Sequence, residues 1–471
     1  MHIRVRESSR RRKGKPVKRY QAIWYEAGRE FSETFDSRSR AQDKLDKIKG
    51  LLDQGQSVAS LRDGGRETFA VVASAWLASR HDLKPRTRAE YANLLSEKTR
   101  PRRSAEGVST GDLSISAIFG HRPVNQITRA DIAEWIGKLT AAGKAPSTTR
   151  HYYFLVRQIL AQALVDGRLT DNPADYIKLP SERKLAGGTP GVVDDPDMFL
   201  TADQVAALVS ATPWPYNVMV HLAAWAGLRA AELAGLQVGD VELPEPPKSR
   251  ALHIKPGVLH VDRTVITING TLIYDTPKTK GSRRKVPLMA LTTEILRDYL
   301  ASHPRSNDPS APLFCSGTLR VSRPTGRRAT DSNGKRLVPT AADALAALSV
   351  SEAANRNLLD WSAPLRHQTF YKAIFRPAVA RANRIEGNGT LLPAGLKFHA
   401  LRHTYASLCI AAGVPPLHLS RFMGHAKVTT TLSVYTHLFD DDHTEAMAAL
   451  EAMSRPATAS NVISIPNRSA L

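Results

Sequence analysis

Phe398-His399-Ala400-Leu401-Arg402-His403-Thr404-Tyr405 packs two imidazoles and a guanidinium into eight residues of helix-compatible sequence. On a helix, His399 and Arg402 are three apart and share a face, while Leu401, Tyr405 and Leu408 point to the core. Read outward, Gly413-Val414-Pro415 stops that helix, and a short one runs on to Gly424-His425. Tyr435 lies ten residues beyond His425, at helical spacing with Leu432 and Leu438. Upstream, Arg229 follows Gly227-Leu228 and opens the segment Ala230 to Leu236, which puts a guanidinium beside the N–H groups of a helix start. Glu232 is placed to hold that loop. Phosphodiester chemistry needs a nucleophile, cations around the phosphate oxygens and a proton for the leaving oxygen. The cluster of His399, Arg402 and His403 offers such groups. Arg229 alone reads as a solvated arginine, and Tyr435 alone as a core aromatic.

The order Ala-Gly-Leu-Arg-x-x-Glu-Leu (226–233), His-x-Leu-Arg-His-Thr (399–404), Gly-His (424–425) and Tyr-x-His-Leu (435–438) resembles the catalytic domain of the tyrosine recombinases, or phage-type integrases. The resemblance spans roughly residues 200 to 450, and four separated motifs in order are far more specific than any one. It implies that Arg229 and Arg402 clamp the nonbridging phosphate oxygens, that His399 assists proton transfer and that His425 completes the phosphate site. Tyr435 would attack, giving a 3′-phosphotyrosine, and a second DNA's 5′ hydroxyl would reverse the step. The family also carries a lysine on a β-hairpin as the acid for the leaving 5′ oxygen. Here the stretch is Thr276-Pro277-Lys278-Thr279-Lys280-Gly281-Ser282-Arg283-Arg284, and both lysines qualify. Lys278 is favoured because it ends the expected strand, with Lys280 as the alternative or as a backbone-phosphate contact. No cofactor or metal is implied, in keeping with a sequence that has no Walker-type phosphate loop and no metal-ligand cluster. The implied partners are double-stranded DNA attachment sites, three further copies of the chain in a tetramer around a Holliday junction, a directionality factor and a host DNA-bending protein. A C-terminal segment would dock on a neighbouring copy.

Bulk properties point the same way. The chain has 471 residues, enough for two to four domains, and 65 Lys and Arg against 44 Asp and Glu give a formal charge of +21. That balance favours a polyanionic partner, nucleic acid ahead of an anionic membrane surface. Cys315 and Cys409 make no disulfide framework and no C-x-x-C, which fits a reducing compartment. No apolar run approaches the roughly 18 residues of a membrane span, and no signal core follows the basic start. A cytoplasmic protein, associated with the nucleoid of a bacterial host, is expected.

The expected fold is multidomain and mainly α with small β-sheets: a helical core-binding domain, a mixed α/β catalytic domain and a small β-rich N-terminal arm-binding domain. Residues 1–60 hold nine basic side chains in their first twenty positions, then alternate Tyr20, Ala22, Trp24 and Phe31, Glu33, Phe35, which reads as a sheet rather than a disordered arm, before a connecting helix over 37–53. Residues 66–180 read as helices, marked by Val72 and Trp76, by Ile132, Trp135, Ile136 and Leu139, and by Tyr153, Val156, Ile159 and Leu160. A linker over 181–199 leads to the catalytic domain at 200–452 and a polar tail at 453–471. Within the catalytic region, Val258 to Ile268, the turn Asn269-Gly270, Thr271 to Tyr274 and Lys285 to Leu288 predict one inserted sheet. Gly317 to Lys335 reads as an exposed loop, and segments 243–256 and 317–361 look longer than the family's usual connections. Two other functions use some of the same features. A DNA-binding regulator would explain the charge and a helix-turn-helix over Ala406 to Gly424, but not Arg229 or Tyr435. A type IB topoisomerase shares the chemistry and would relax a supercoiled plasmid without recombinant product.

Overall fold

The computed structural model describes residues 1–12, 15–26, 28–53, 66–97, 112–181, 195–245, 255–277, 280–320, 341–384 and 391–438. The chain divides into two compact units, residues 1–183 and 184–471. Both are helix-rich with small sheets. Among the described residues no helix is long and apolar enough to cross a membrane.

The first unit opens with a three-stranded antiparallel sheet, His2–Arg12, Lys15–Glu26 and Arg29–Phe35 in sequence order. The aromatic alternation has a physical basis: Trp24 pairs across the sheet with Phe31 and stacks on it at 5.9 Å. Ala22 and Trp24 bury against Ala41, Leu45 and Ile48 of the helix Arg38–Asp53, so a small sheet gains the covered face it needs to be stable. A separate core holds the helices Phe69–Ser79, Arg129–Ala141 and Pro146–Val165 together through Trp76, Trp135, Ile159 and Leu160. Thr128 and Asp131 form a capping box that starts the middle helix, and Pro146 starts the last at a position where a missing N–H costs nothing.

The core of the second unit lies among the helices Ala202–Ser210, Tyr216–Trp225, Ala290–Ala301 and Arg376–Ala382 and the start of Ala400–Ala411. Thr201 and Gln204 cap the first of these reciprocally. The single inserted sheet expected from the sequence is instead two sheets. Val258–Val261 pairs with Arg284–Pro287 and with Val241–Glu242, whereas Thr264–Ile268 and Thr271–Asp275 form a separate hairpin. The break falls at Asp262-Arg263, where Arg263 reaches the buried Asp240 at 2.5 Å. The strand preceding Lys278 therefore ends at Asp275, not at the lysine. Gly317 is likewise not loop: it lies in the strand Cys315–Leu319, paired with Asn357–Pro364. A Cβ at Gly317 would stand 2.5 Å from the Tyr216 hydroxyl, so the glycine is there for close packing. The remainder of that expected loop, residues 321–335, lies outside the described residues, as do most of the expected linker and the tail.

Candidate active site

Arg402 organises the site from inside the protein. The helix Ala400–Ala411 buries every residue of its first seven, so Arg402 and His403 lie inside along with Leu401 and Tyr405 rather than on an outward gripping face, and Leu408 is only half-buried. Arg402 is 3% exposed. A buried guanidinium must be matched by acceptors, and its Nη1 and Nη2 each donate over 2.6 Å, to the carbonyls of Gly227 and Met423. Gly227 lies just beyond the helix Tyr216–Trp225, and Met423 ends the helix Pro416–Met423. Both are carbonyl ends, where the helix dipole favours a cation. The glycine in Ala-Gly-Leu-Arg is explained here. Gly227 has φ +62°, and the Tyr405 ring fills the place a Cβ would take.

Arg229 is the N-cap of the short helix Ala230–Gly235. Its backbone N–H donates to Glu232 Oε2 over 2.8 Å, its Nη1 to Oε1 over 2.9 Å, and its Nη2 points to the Gly424 carbonyl at 3.4 Å. With 38% of its side chain open, it remains accessible to a ligand. Glu232 is shared with Arg284, a residue the motifs do not single out. Arg284 Nη2 and Nη1 donate to the two carboxylate oxygens over 2.9 and 3.1 Å, and its Nε donates to the Phe422 carbonyl over 2.5 Å. Only 6% of the Arg284 side chain and 2% of the Glu232 side chain are exposed. Gly424, at φ +66°, leaves room for this wedge: an added Cβ would stand 2.8 Å from Arg284 Nη1. The three guanidiniums thus converge on the carbonyls of Phe422, Met423 and Gly424, with one carboxylate among them.

Three arginines against one glutamate leave an excess of positive charge, which an oxyanion can neutralise. Burial pushes the Glu232 carboxyl up, but the hydrogen bond and charge of Arg284, with the charges of Arg229 and Arg402, outweigh it and hold the group below its usual range. Arg402 is pulled down to about 9, first by burial and then by the like charge of Arg229. The Glu232 carboxylate offsets this only in part.

Tyr435 ends the helix Val428–Tyr435 and is 2% exposed, its ring packed with Tyr405, Leu419 and Met423. It is both a core aromatic and a polar centre, because its hydroxyl lies 2.9 Å from His403 Nδ1. His403 in turn meets the His399 ring edge-on at 4.8 Å. His399 holds the N-cap position of that helix without a side-chain capping bond; the residue is exposed, but its ring is partly enclosed by the cluster. His425 follows Gly424 and is anchored through Nδ1, 2.7 Å from Thr431 Oγ1. Burial lowers the pKa of all three imidazoles, with Arg402 adding to the effect. His403 and His425 fall to about 4, so both are neutral at pH 7. Burial raises Tyr435 to about 12 against the pull of Arg402 and Arg229. An attacking phenol of that kind needs a proton acceptor.

The structure therefore brings Arg229, Arg402 and His425 onto one cluster with Tyr435, and His399 beside it through His403. Lys278 lies outside the described residues, and the backbone of Lys280 opens the 3-10 turn Lys280–Ser282. Sequence reasoning missed a role for Arg284 and for Thr431. Arg284 was within reach, since it shares a strand face with the buried Val286.

Residues 198–442, more than half of the chain, match the model of the phage integrase family. A prophage phiRv2 integrase of Mycobacterium tuberculosis is 26% identical over 307 residues, 63% of this chain and 71% of the relative. A XerC-like tyrosine recombinase of Caldanaerobacter subterraneus is 23% identical over 351 residues, 73% of this chain and 76% of the relative. Among solved structures, a Tn1549 transposon integrase in complex with transposon right end DNA aligns with a TM-score of 0.48 at 19% identity, over 83% of this chain and 100% of that one. A lambda integrase tetramer bound to a Holliday junction aligns with a TM-score of 0.44 at 16% identity, over 90% and 92%. On the extent of the family match, carried by the same region that holds the arginine cluster and Tyr435, the chain belongs to the phage integrase family of tyrosine recombinases.

Proposed function

We propose that the chain exchanges DNA strands at defined attachment sites with Tyr435 as nucleophile. As a phage-type integrase it is an enzyme of DNA cleavage and rejoining on mobile elements. The observation that carries the residue-level reading is the buried Tyr435 hydroxyl within the field of Arg402 and Arg229, in a pocket with more cations than anions. Tyr435 Oη attacks the scissile phosphorus, Arg229 and Arg402 hold the nonbridging oxygens, His399 assists proton transfer and His425 completes the phosphate site. The 5′ oxygen leaves as a hydroxyl after taking a proton from Lys278, with Lys280 as the alternative donor.

The whole chain is read as an arm-binding module at 1–60, a core-binding domain at 66–180, a linker at 181–199, a catalytic domain at 200–452 and a tail at 453–471. Its +21 charge supports DNA as the partner. Four copies around a junction, as in the lambda integrase tetramer, would act at the nucleoid of a bacterial host, with a directionality factor and a host DNA-bending protein.

A nicked attachment-site duplex that lets the 5′ end diffuse away tests the nucleophile. The wild type is expected to form a covalent adduct that survives denaturation, and peptide mapping should locate the DNA on Tyr435. Mapping to Tyr405 would move the nucleophile, and no adduct on a verified cognate site would sink the recombination chemistry. For the acid, Lys278→Ala should slow cleavage more than Lys280→Ala, by about a hundredfold or more. A substrate with a 5′-bridging sulfur, whose leaving group needs no proton, should rescue it. Rescue of Lys280→Ala instead would transfer the role.

A further inference from the structure

We propose that His403 is the catalytic base that takes the proton from Tyr435. This rests on Tyr435 being the nucleophile, and it adds a group to which the motif reading gives no task. Phosphorus–oxygen bond formation by a neutral phenol requires the proton to leave as the bond forms. Within the described residues, the hydrogen-bond partner of the Tyr435 hydroxyl is His403 Nδ1, at 2.9 Å. That separation is within transfer distance without any rearrangement.

The surroundings of His403 fit the role. Its own helix contributes His399, edge-on at 4.8 Å, and Arg402. The segment before Ala202–Ser210 contributes Phe199, whose ring meets His403 edge-on at 6.4 Å, and Phe199 also meets His437 at 6.0 Å. The Val428–Tyr435 helix contributes the tyrosine itself, ring to ring at 5.8 Å. No carboxylate is among these neighbours and burial lowers the pKa, so the resting imidazole is neutral, and in its Nε2–H tautomer the Nδ1 lone pair accepts from the tyrosine hydroxyl. An imidazolium forming there would be opposed by Arg402. During attack it forms beside a phosphate gaining negative charge, which offsets that repulsion.

The step balances. The Tyr435 O–H bond breaks and its proton moves to Nδ1, and the freed electron pair forms the bond from Oη to phosphorus. The bond from phosphorus to the 5′ oxygen breaks, and that oxygen takes the proton of the lysine acid. Rejoining runs in reverse, with His403 returning its proton to the tyrosine.

Single-turnover adduct formation between pH 6 and 9, on the nicked duplex, provides the test. With His403 as base, the wild-type rate should be nearly flat, because the tyrosine need not ionise beforehand. His403→Gln keeps a hydrogen-bonding side chain that cannot accept a proton. It should be slower by about a hundredfold at pH 7 and should climb about tenfold per pH unit, since the phenol must then lose its proton to hydroxide. A 5′-bridging sulfur should leave this defect in place, which separates His403 from the leaving-group acid. DNA affinity should be unchanged. A His403→Gln rate within threefold of wild type, or a profile parallel to it, would overturn the proposal. If that variant does not fold, the wild type decides: a rate rising tenfold per unit across the range shows a pre-formed phenolate and excludes His403 as base. A wild type that makes no adduct with Tyr435 would instead sink the nucleophile assignment itself.

Discussion

Tyr435→Phe should reduce adduct formation below detection while leaving a folded protein that binds its site with wild-type affinity. The substitution removes one oxygen and nothing else. The ring keeps its contacts with Tyr405, Leu419 and Met423, the apolar cluster that fixes the end of the Val428–Tyr435 helix. The loss is confined to the hydrogen bond with His403, which leaves a buried imidazole nitrogen without its partner at a cost of about 1–3 kcal/mol. For a unit of this size that lowers the melting temperature by a few degrees and does not unfold it. A gel after denaturation reads the covalent step, anisotropy reads the binding, and calorimetry reads the fold. A phenylalanine variant that still traps DNA would place the nucleophile elsewhere. One that loses DNA affinity as well would show that the hydroxyl binds rather than reacts.

The local part of this site was readable from residues because its signals are short-range. The spacing of His399 and Arg402, the glycines at 227 and 424 and the cap at Thr201 are all decided within one or two turns of chain. The strands at 20–35 were equally plain, since alternating aromatics announce a covered sheet face. What escaped was long-range. Arg284 meets Glu232 across 52 positions, and His403 meets Tyr435 across 32. Neither pairing leaves a periodic trace in the sequence. Arg402 looked like a solvent-facing grip because an arginine is seldom buried. The carbonyl ends of two helices that accept from it come together only in the tertiary fold. The single sheet read over 258–288 failed for a related reason. The stretch from Val258 to Ile268 is rich in β-branched residues, and its break falls at Asp262-Arg263, where Arg263 reaches a buried aspartate far away in the chain.

Arg402→Ala should be the most damaging single change in the cluster, because it removes charge from the phosphate and support from the fold together. The Gly227 and Met423 carbonyls would lose their donors in a buried place, and each unpaired group costs about 1–3 kcal/mol, so a loss on the order of 2–6 kcal/mol is expected. Cleavage by whatever remains folded should fall by about 10²–10³-fold, the usual consequence of deleting one oxyanion partner. Arg402→Lys separates the two effects. An ammonium keeps the charge but has no planar fork to span two carbonyls, so it should recover part of the stability and less of the rate. Relief of one guanidinium from a crowded cluster works in the opposite direction, since Arg229 already disfavours the charged form of Arg402. If that relief dominated, Arg402→Ala would melt at or above the wild-type temperature and still cleave poorly. That outcome would assign Arg402 wholly to the phosphate and leave the two helix ends to be held by Arg284 and Arg229, which reach the neighbouring carbonyls of Phe422 and Gly424.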